Sequence, residues 1–223
     1  MIREALAAIR AEAEAARDKL NELLARIDAA LSIGVEPLPP AVDPILVADL
    51  KEDEGRVGRP VPGGFIHTAY PDPLSPRAEE MRRLGIPLNQ ASDDRVRHLS
   101  GAPWTWGYGH TGPDVTEGRE GDDAEAEAVL IRDVIEHNAE LALRLPWVER
   151  LDAARRRVLQ NMAFNLGVGT PGGTKGLLGF RNTLGMIERG EYARAADGML
   201  ASLWAKQVGQ RAVRLANTMR TGT

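Results

Sequence analysis

Residues 43 to 55 read Asp43-Pro44-Ile45-Leu46-Val47-Ala48-Asp49-Leu50-Lys51-Glu52-Asp53-Glu54-Gly55. An aspartate that can cap a helix, a proline at the first helical position and a glycine at the end predict a short helix over 44–54. Leu46, Leu50 and Glu54 are four apart and share one face. The leucines favour burial of that face, so Glu54 is expected to be partly desolvated. Desolvation disfavours the ionised carboxylate and raises its pKa, which suits a general acid working near neutral pH. The plain alternative is a solvated helix end.

Downstream, residues 56–110 are rich in Gly and Pro, with β-like pieces at Gly64–Tyr70 and Trp104–His110. Asp72 lies between Pro71 and Pro73, where a turn near water keeps a carboxylate ionised. Two carboxylates in such different surroundings can divide acid and base roles, the arrangement used to cleave glycosidic bonds. Read as one strand, Trp104-Thr105-Trp106-Gly107-Tyr108-Gly109-His110 sends Trp104, Trp106, Tyr108 and His110 to one face. Thr105, Gly107 and Gly109 then form a nearly bare face open to close approach by a substrate; the alternative is a plain amphipathic strand. His110 reads as a structural hydrogen-bonding residue rather than a catalyst. Ser75–Ser100 is charged, with a helix expected at Pro76–Leu84, and looks like an insertion between two strands.

From Asp122 the pattern turns helical, with helices expected at 122–144, 150–166, 180–189, 191–205 and 208–220. The fold class is therefore α+β, a small antiparallel sheet lobe over about 56–115 and a larger all-helical lobe over about 116–223.

Upstream, Ile2, Ile9, Ala16, Leu23 and Ala30 recur every seven residues, with Leu6, Ala13, Leu20 and Ile27 between them. This predicts a heptad helix within 1–33, either self-associating through residues 1–31 or packing on its own domain. Residues 34–43 contain prolines that favour an extended connector, which places the domain boundary there and the main domain at 44–223.

The 223 residues carry a formal charge of −4, which gives no general electrostatic reason to bind nucleic acid. There are no cysteines, so disulfides, thiolate zinc sites and cysteine nucleophiles are excluded. The four histidines, His67, His98, His110 and His137, show no metal-ligand spacing. No apolar run is long enough to span a membrane, and the first residues do not form a signal peptide.

Leu50-Lys51-Glu52-Asp53-Glu54-Gly55, then Ala69-Tyr70-Pro71-Asp72-Pro73, then Thr105-Trp106-Gly107-Tyr108-Gly109-His110-Thr111 strongly resemble, in that order, the catalytic lobe of phage-type lysozymes, glycoside hydrolase family 24. The stretch Arg157–Gly167 resembles the family's central helix, and Gly179–Leu184 its cleft-lining turn. Ser202-Leu203-Trp204, Gln210-Arg211-Ala212 and Arg220-Thr221-Gly222-Thr223 are similar to its C-terminal helices. The resemblance covers about Pro44–Thr223. It implies a two-lobed lysozyme-like fold and hydrolysis of the β-1,4 bond between N-acetylmuramic acid and N-acetylglucosamine in peptidoglycan, with neither metal nor organic cofactor.

By the same resemblance, Glu54 is the general acid, Asp72 the carboxylate assisting the attacking water and Thr105 the hydroxyl that helps hold that water. Arg211 is a buried arginine paired with the acid, and Thr111, Phe164, Asn165, Asn182 and Thr183 line the sugar-binding cleft. Arg211 also precedes Leu215 by four residues, which sets it along the inward face of the last helix; a surface arginine is the alternative. Inverting hydrolysis expects the Glu54 and Asp72 carboxyl groups roughly 6.5 to 9.5 Å apart.

The chain departs from the family in the heptad helix and linker, in the Ser75–Ser100 insertion and in an enlarged Gly169–Gly179 loop. The heptad helix motivates a second reading, a virion structural protein whose residues 1–31 attach a lysozyme-like domain to other phage proteins. A third is a non-catalytic peptidoglycan-binding module. The expected setting is synthesis in the host cytoplasm and action on the cell wall.

Overall fold

The structure is a computed structural model and describes residues 42–223. The expected heptad helix over 1–31 and the linker as far as Ala41 lie outside the described residues. Helix α1 (Pro44–Glu54) forms for the local reasons read from its sequence. The Asp43 carboxylate accepts from the Ile45 N–H at 2.8 Å, Pro44 occupies the first turn, and Gly55 ends the helix at φ 68°. Leu46 and Leu50 are fully buried.

Six short strands follow among the described residues: β1 (Gly58–Val61), β2 (Gly64–Thr68), β3 (Tyr70–Pro71), β4 (Trp104–Trp106), β5 (His110–Thr111) and β6 (Glu120–Asp122). They form two three-stranded antiparallel sheets, β1-β2-β6 and β3-β4-β5. The first sheet takes its third strand from Glu120–Asp122, further along the chain than the bound near 115 expected for this lobe.

Residues 104–110 are not the single strand expected from their alternation. Gly107 (φ 64°) and Gly109 (φ 89°) adopt left-handed conformations, and the chain reverses so that Trp106 pairs with His110 and Thr105 with Thr111. Glycines at alternate positions imitate a bare strand face, but here they make a hairpin turn. The expected division of faces goes with it, since Thr105, Trp106 and Tyr108 are all buried.

The Ser75–Ser100 segment lies between β3 and β4 and carries helix α2 (Pro76–Leu84), capped by the Ser75 hydroxyl and closed by Gly85. It has a small core of its own, Met81, Ile86, Ala91 and Val96, against Trp104. The buried Arg77 guanidinium ties it together by donating to the carbonyls of Leu99, Ala91 and Arg97 and to Glu117.

Helix α3 (Asp123–Arg144, 22 residues) is about 33 Å long and runs from one lobe to the other. Its Ala126, Leu130 and Val134 join the core shared by α1 and the sheets, while Leu141 belongs to the helical core. The helical lobe comprises α4 (Ala153–Leu166), α5 (Arg181–Glu188), α6 (Tyr192–Leu200), α7 (Leu203–Val208) and α8 (Gln210–Thr221). The single helix expected over 191–205 is two, because the Ser202 hydroxyl accepts from the Ala205 N–H at 3.1 Å and starts a new helix at Leu203.

Candidate active site

Glu54 is the last residue of α1, at the end of the face defined by Leu46 and Leu50, with its side chain 21% exposed. Its Oε1 accepts from Arg211 Nη1 at 2.8 Å. Arg211 is 8% exposed, at the start of α8. The same guanidinium donates through Nε to Asn161 Oδ1 at 2.9 Å and through Nη2 to the Asn161 carbonyl at 3.3 Å, and its Nε lies 3.2 Å from Asp53 Oδ2. Asp53, with a side chain only 5% exposed, also accepts from Arg214 Nη2 at 2.7 and 2.8 Å and from Asn161 Nδ2 at 3.0 Å. Two carboxylates, two guanidinium groups and one amide thus bind the end of α1 to α4 and α8. A buried network of this kind is tolerable only because each charge has partners.

The other carboxyl oxygen of Glu54 borders the hairpin turn. A Cβ built on Gly109 would lie 3.4 Å from Oε2, so the glycine leaves this side of the carboxyl uncovered. Tyr70 and Thr105 are cross-strand partners on β3 and β4 and present their side chains to the same face of that sheet. Burial, with the nearby Glu54 charge, pushes the Tyr70 phenol up to about 12. Glu54 thus has Gly109 and Tyr70 for neighbours, and Thr105 is paired with Tyr70 across the sheet.

Asp72 leaves the chain immediately after β3. Its N–H donates to the carbonyls of Pro103 (2.9 Å) and Gly101 (3.1 Å), and its Oδ1 accepts from the Leu74 N–H at 2.7 Å. The return of the Ser75–Ser100 segment thus fixes the backbone that carries Asp72.

Of the expected cleft residues, Thr111 and Phe164 line a hollow of about 240 Å³ together with Gly109, His110 and His137. The Phe164 ring lies 5.3 Å from that of His137. His110 is a hydrogen-bonding hub, with Nδ1 2.8 Å from Asp133 and Nε2 3.1 Å from Asp114. Asn182 and Thr183 line a separate groove of about 990 Å³ in the helical lobe. Asn165 is exposed, and its Oδ1 accepts from the Trp204 Nε1–H at 2.8 Å, next to that groove. Among the described residues no group of three or more His, Asp or Glu gathers as a metal ion would require.

A family model described as phage lysozyme matches residues 89–220, more than half of the chain. The chain belongs to the phage lysozyme family. A probable T4-type lysozyme 1 of Dictyostelium discoideum is 31% identical over 106 residues, covering 45% of this chain and 57% of the relative. The chain thus aligns with little more than half the length of this curated relative. Within the phage lysozyme match lie Thr105, Thr111, Phe164, Asn165, Asn182, Thr183 and Arg211. Glu54 and Asp72 precede it, and it is the Arg211 bond that ties Glu54 to the matched part.

Sequence reasoning missed Asp53, Asn161 and Arg214. Asn161 carried a readable signal, an amide among Val158, Leu159 and Met162 on a helix whose apolar residues face inward. A polar side chain in such a place needs partners.

Proposed function

We propose that the protein is a muramidase that cleaves the β-1,4 bond between N-acetylmuramic acid and N-acetylglucosamine with inversion. The observation that carries this reading is the Glu54 carboxyl, clamped at one oxygen by Arg211 and bare at the other beside Gly109. In the reaction, protonated Glu54 gives its proton to the glycosidic oxygen as the anomeric carbon–oxygen bond breaks. The Asp72 carboxylate takes a proton from the water that attacks the opposite face of the same carbon, and the Thr105 hydroxyl holds that water. Single displacement leaves the new hydroxyl in the α configuration.

Proton NMR of purified glycan strands in the first minutes of digestion tests this. The α-anomer of the new reducing end should appear before mutarotation mixes the two. Initial release of the β-anomer overturns the single-displacement mechanism, and absence of new reducing ends overturns the activity.

A further inference from the structure

Strand β3 is only two residues long, and Asp72 follows it directly. The chain reaches β4, the strand that pairs with β3, only after the Ser75–Ser100 segment. A hairpin loop of about two to five residues pins its own ends, whereas a long connection does not, and ordering one costs closure entropy. The backbone at Asp72 therefore has to be held by something other than a tight turn.

Arg77 meets that need. It stands in the first turn of α2, 4% exposed. Its Nε donates to the Leu99 carbonyl at 2.7 Å, Nη1 to that of Ala91 at 3.2 Å and Nη2 to that of Arg97 at 2.8 Å. Its backbone N–H donates to the Ser100 carbonyl at 3.0 Å. Nη1 also meets the Glu117 carboxylate, which gives the buried charge a partner. The guanidinium thus gathers the returning end of the segment onto its beginning. A planar fork with fixed donor directions serves three carbonyls at once, and an ammonium on a flexible stem does not.

The returning chain passes straight to Asp72. The Gly101 and Pro103 carbonyls, next in sequence, are those that accept the Asp72 N–H. Gly101 is seated against the cross-strand pair Pro71 and Trp104: a Cβ there would fall 3.0 Å from Pro71 Cβ and 2.8 Å from the Trp104 ring. The Arg77 guanidinium lies 5.1 Å from the centre of that ring. From the other direction, the Asp72 carbonyl accepts from the Ser75 N–H at 2.9 Å, and Oδ1 accepts from the Leu74 N–H, so the carboxyl follows its own backbone. Trp104 and Thr105 are neighbours on β4 and occupy opposite faces of it. Arg77 is buried beside the Trp104 face, so it reaches the reaction only through other residues.

We infer that Arg77 is a positioning residue for the hydrolysis: its guanidinium holds the Ser75–Ser100 segment closed, and the closed segment sets where the Asp72 carboxylate stands. This rests on the proposed reading of Asp72 as the base that activates water. The segment then does for Asp72 what a tight turn between β3 and β4 would do. Misplacing a reacting group by about 1 Å costs up to about 100-fold in rate. Binding of the sugars elsewhere in the cleft does not depend on Asp72, so the signature is a fall in kcat at constant KM.

Reducing-end release from purified glycan strands tests this, with kcat and KM separated at a temperature where circular dichroism shows each full-length variant folded. Arg77→Met should lower kcat about tenfold or more and leave KM within about twofold. Arg77→Lys keeps a charge beside Glu117 without the fork; it should show the same split, and it carries the comparison if Arg77→Met does not fold. Ile86→Ala removes a buried side chain from the core of the same segment, and it should lower stability while leaving kcat within about twofold. In an Asp72→Asn background, where the carboxylate is already gone, Arg77→Met should cost less than about twofold in kcat. Unchanged kcat in either Arg77 variant, an equal fall in Ile86→Ala, or the same factor lost with and without Asp72 overturns the inference. The underlying reading fails differently: Asp72→Asn as fast as wild type contradicts the assignment of the base, and a wild type that releases no reducing ends contradicts the hydrolytic activity.

Discussion

Arg211 Nη1 donates to Glu54 Oε1 at 2.8 Å, joining residues 157 positions apart. The same guanidinium holds Asn161 and touches Asp53, so it fixes both the carboxyl and the helix end that presents it. Replacing one member of a buried charged network leaves the others without partners, which typically costs more than the pair itself contributes. Arg211→Met should lower stability by about 3 kcal/mol, measured by urea unfolding. A double-mutant cycle with Glu54→Gln should give a coupling above about 0.5 kcal/mol; additive losses would show that the bond carries no weight in solution.

Gly109 tests how closely the hairpin turn and the carboxyl are fitted. Its φ of 89° disfavours any other residue, and a methyl group there would sit 3.4 Å from Glu54 Oε2. Gly109→Ala should cost roughly 1–2 kcal/mol in backbone strain. It should reduce wall hydrolysis by about tenfold or more, because small displacements at a reacting group are costly. Unchanged activity in a destabilised variant would place the turn away from the reaction.

The hydrogen bond from His110 to Asp114, with help from Arg119, holds the Asp114 carboxyl down at about 2, against an ordinary value of 3.8. A carboxylate depressed on folding contributes stability that is present above its unfolded pKa and is lost as pH falls through the folded one. Wild type should therefore be more stable than Asp114→Asn at pH 5, and the gap should close between about pH 4 and pH 2. Urea unfolding across that range measures it, and a gap independent of pH contradicts the assignment.

Tyr70 makes the opposite prediction at high pH. Its phenol is raised from 10.0 to about 12, first by burial and then by the charge of Glu54. The resulting stability is fully present below pH 10 and is lost as pH rises through 12. Stability measured between pH 9 and pH 12 should fall less steeply in Tyr70→Phe than in wild type. Parallel curves would mean that the Tyr70 phenol is not held neutral by its surroundings.

Features set by neighbouring residues were the most legible in the sequence. The caps at Asp43 and Gly55 bound α1 correctly, because helix ends are fixed by side chains a few positions away, and α2 runs over the expected Pro76–Leu84. The hairpin at Gly107–Gly109 was misread because period-two spacing describes a strand and a glycine turn equally well until φ is known. The break at Ser202 was misread because a capping serine competes with helical propensity on either side. At the site, Glu54 and Arg211 came from motif and face. The Asp53–Asn161–Arg214 connections bridge more than 100 positions and depend on how α1, α4 and α8 dock, which no local pattern encodes.

The assignment of Glu54 is tested most directly by turbidity clearing of purified cell walls with wild type and Glu54→Gln, both shown to be folded by circular dichroism. The account predicts clearing by wild type and a rate at least about 100-fold lower for Glu54→Gln, the usual reach of a positioned general acid. Equal rates for the two proteins would contradict it.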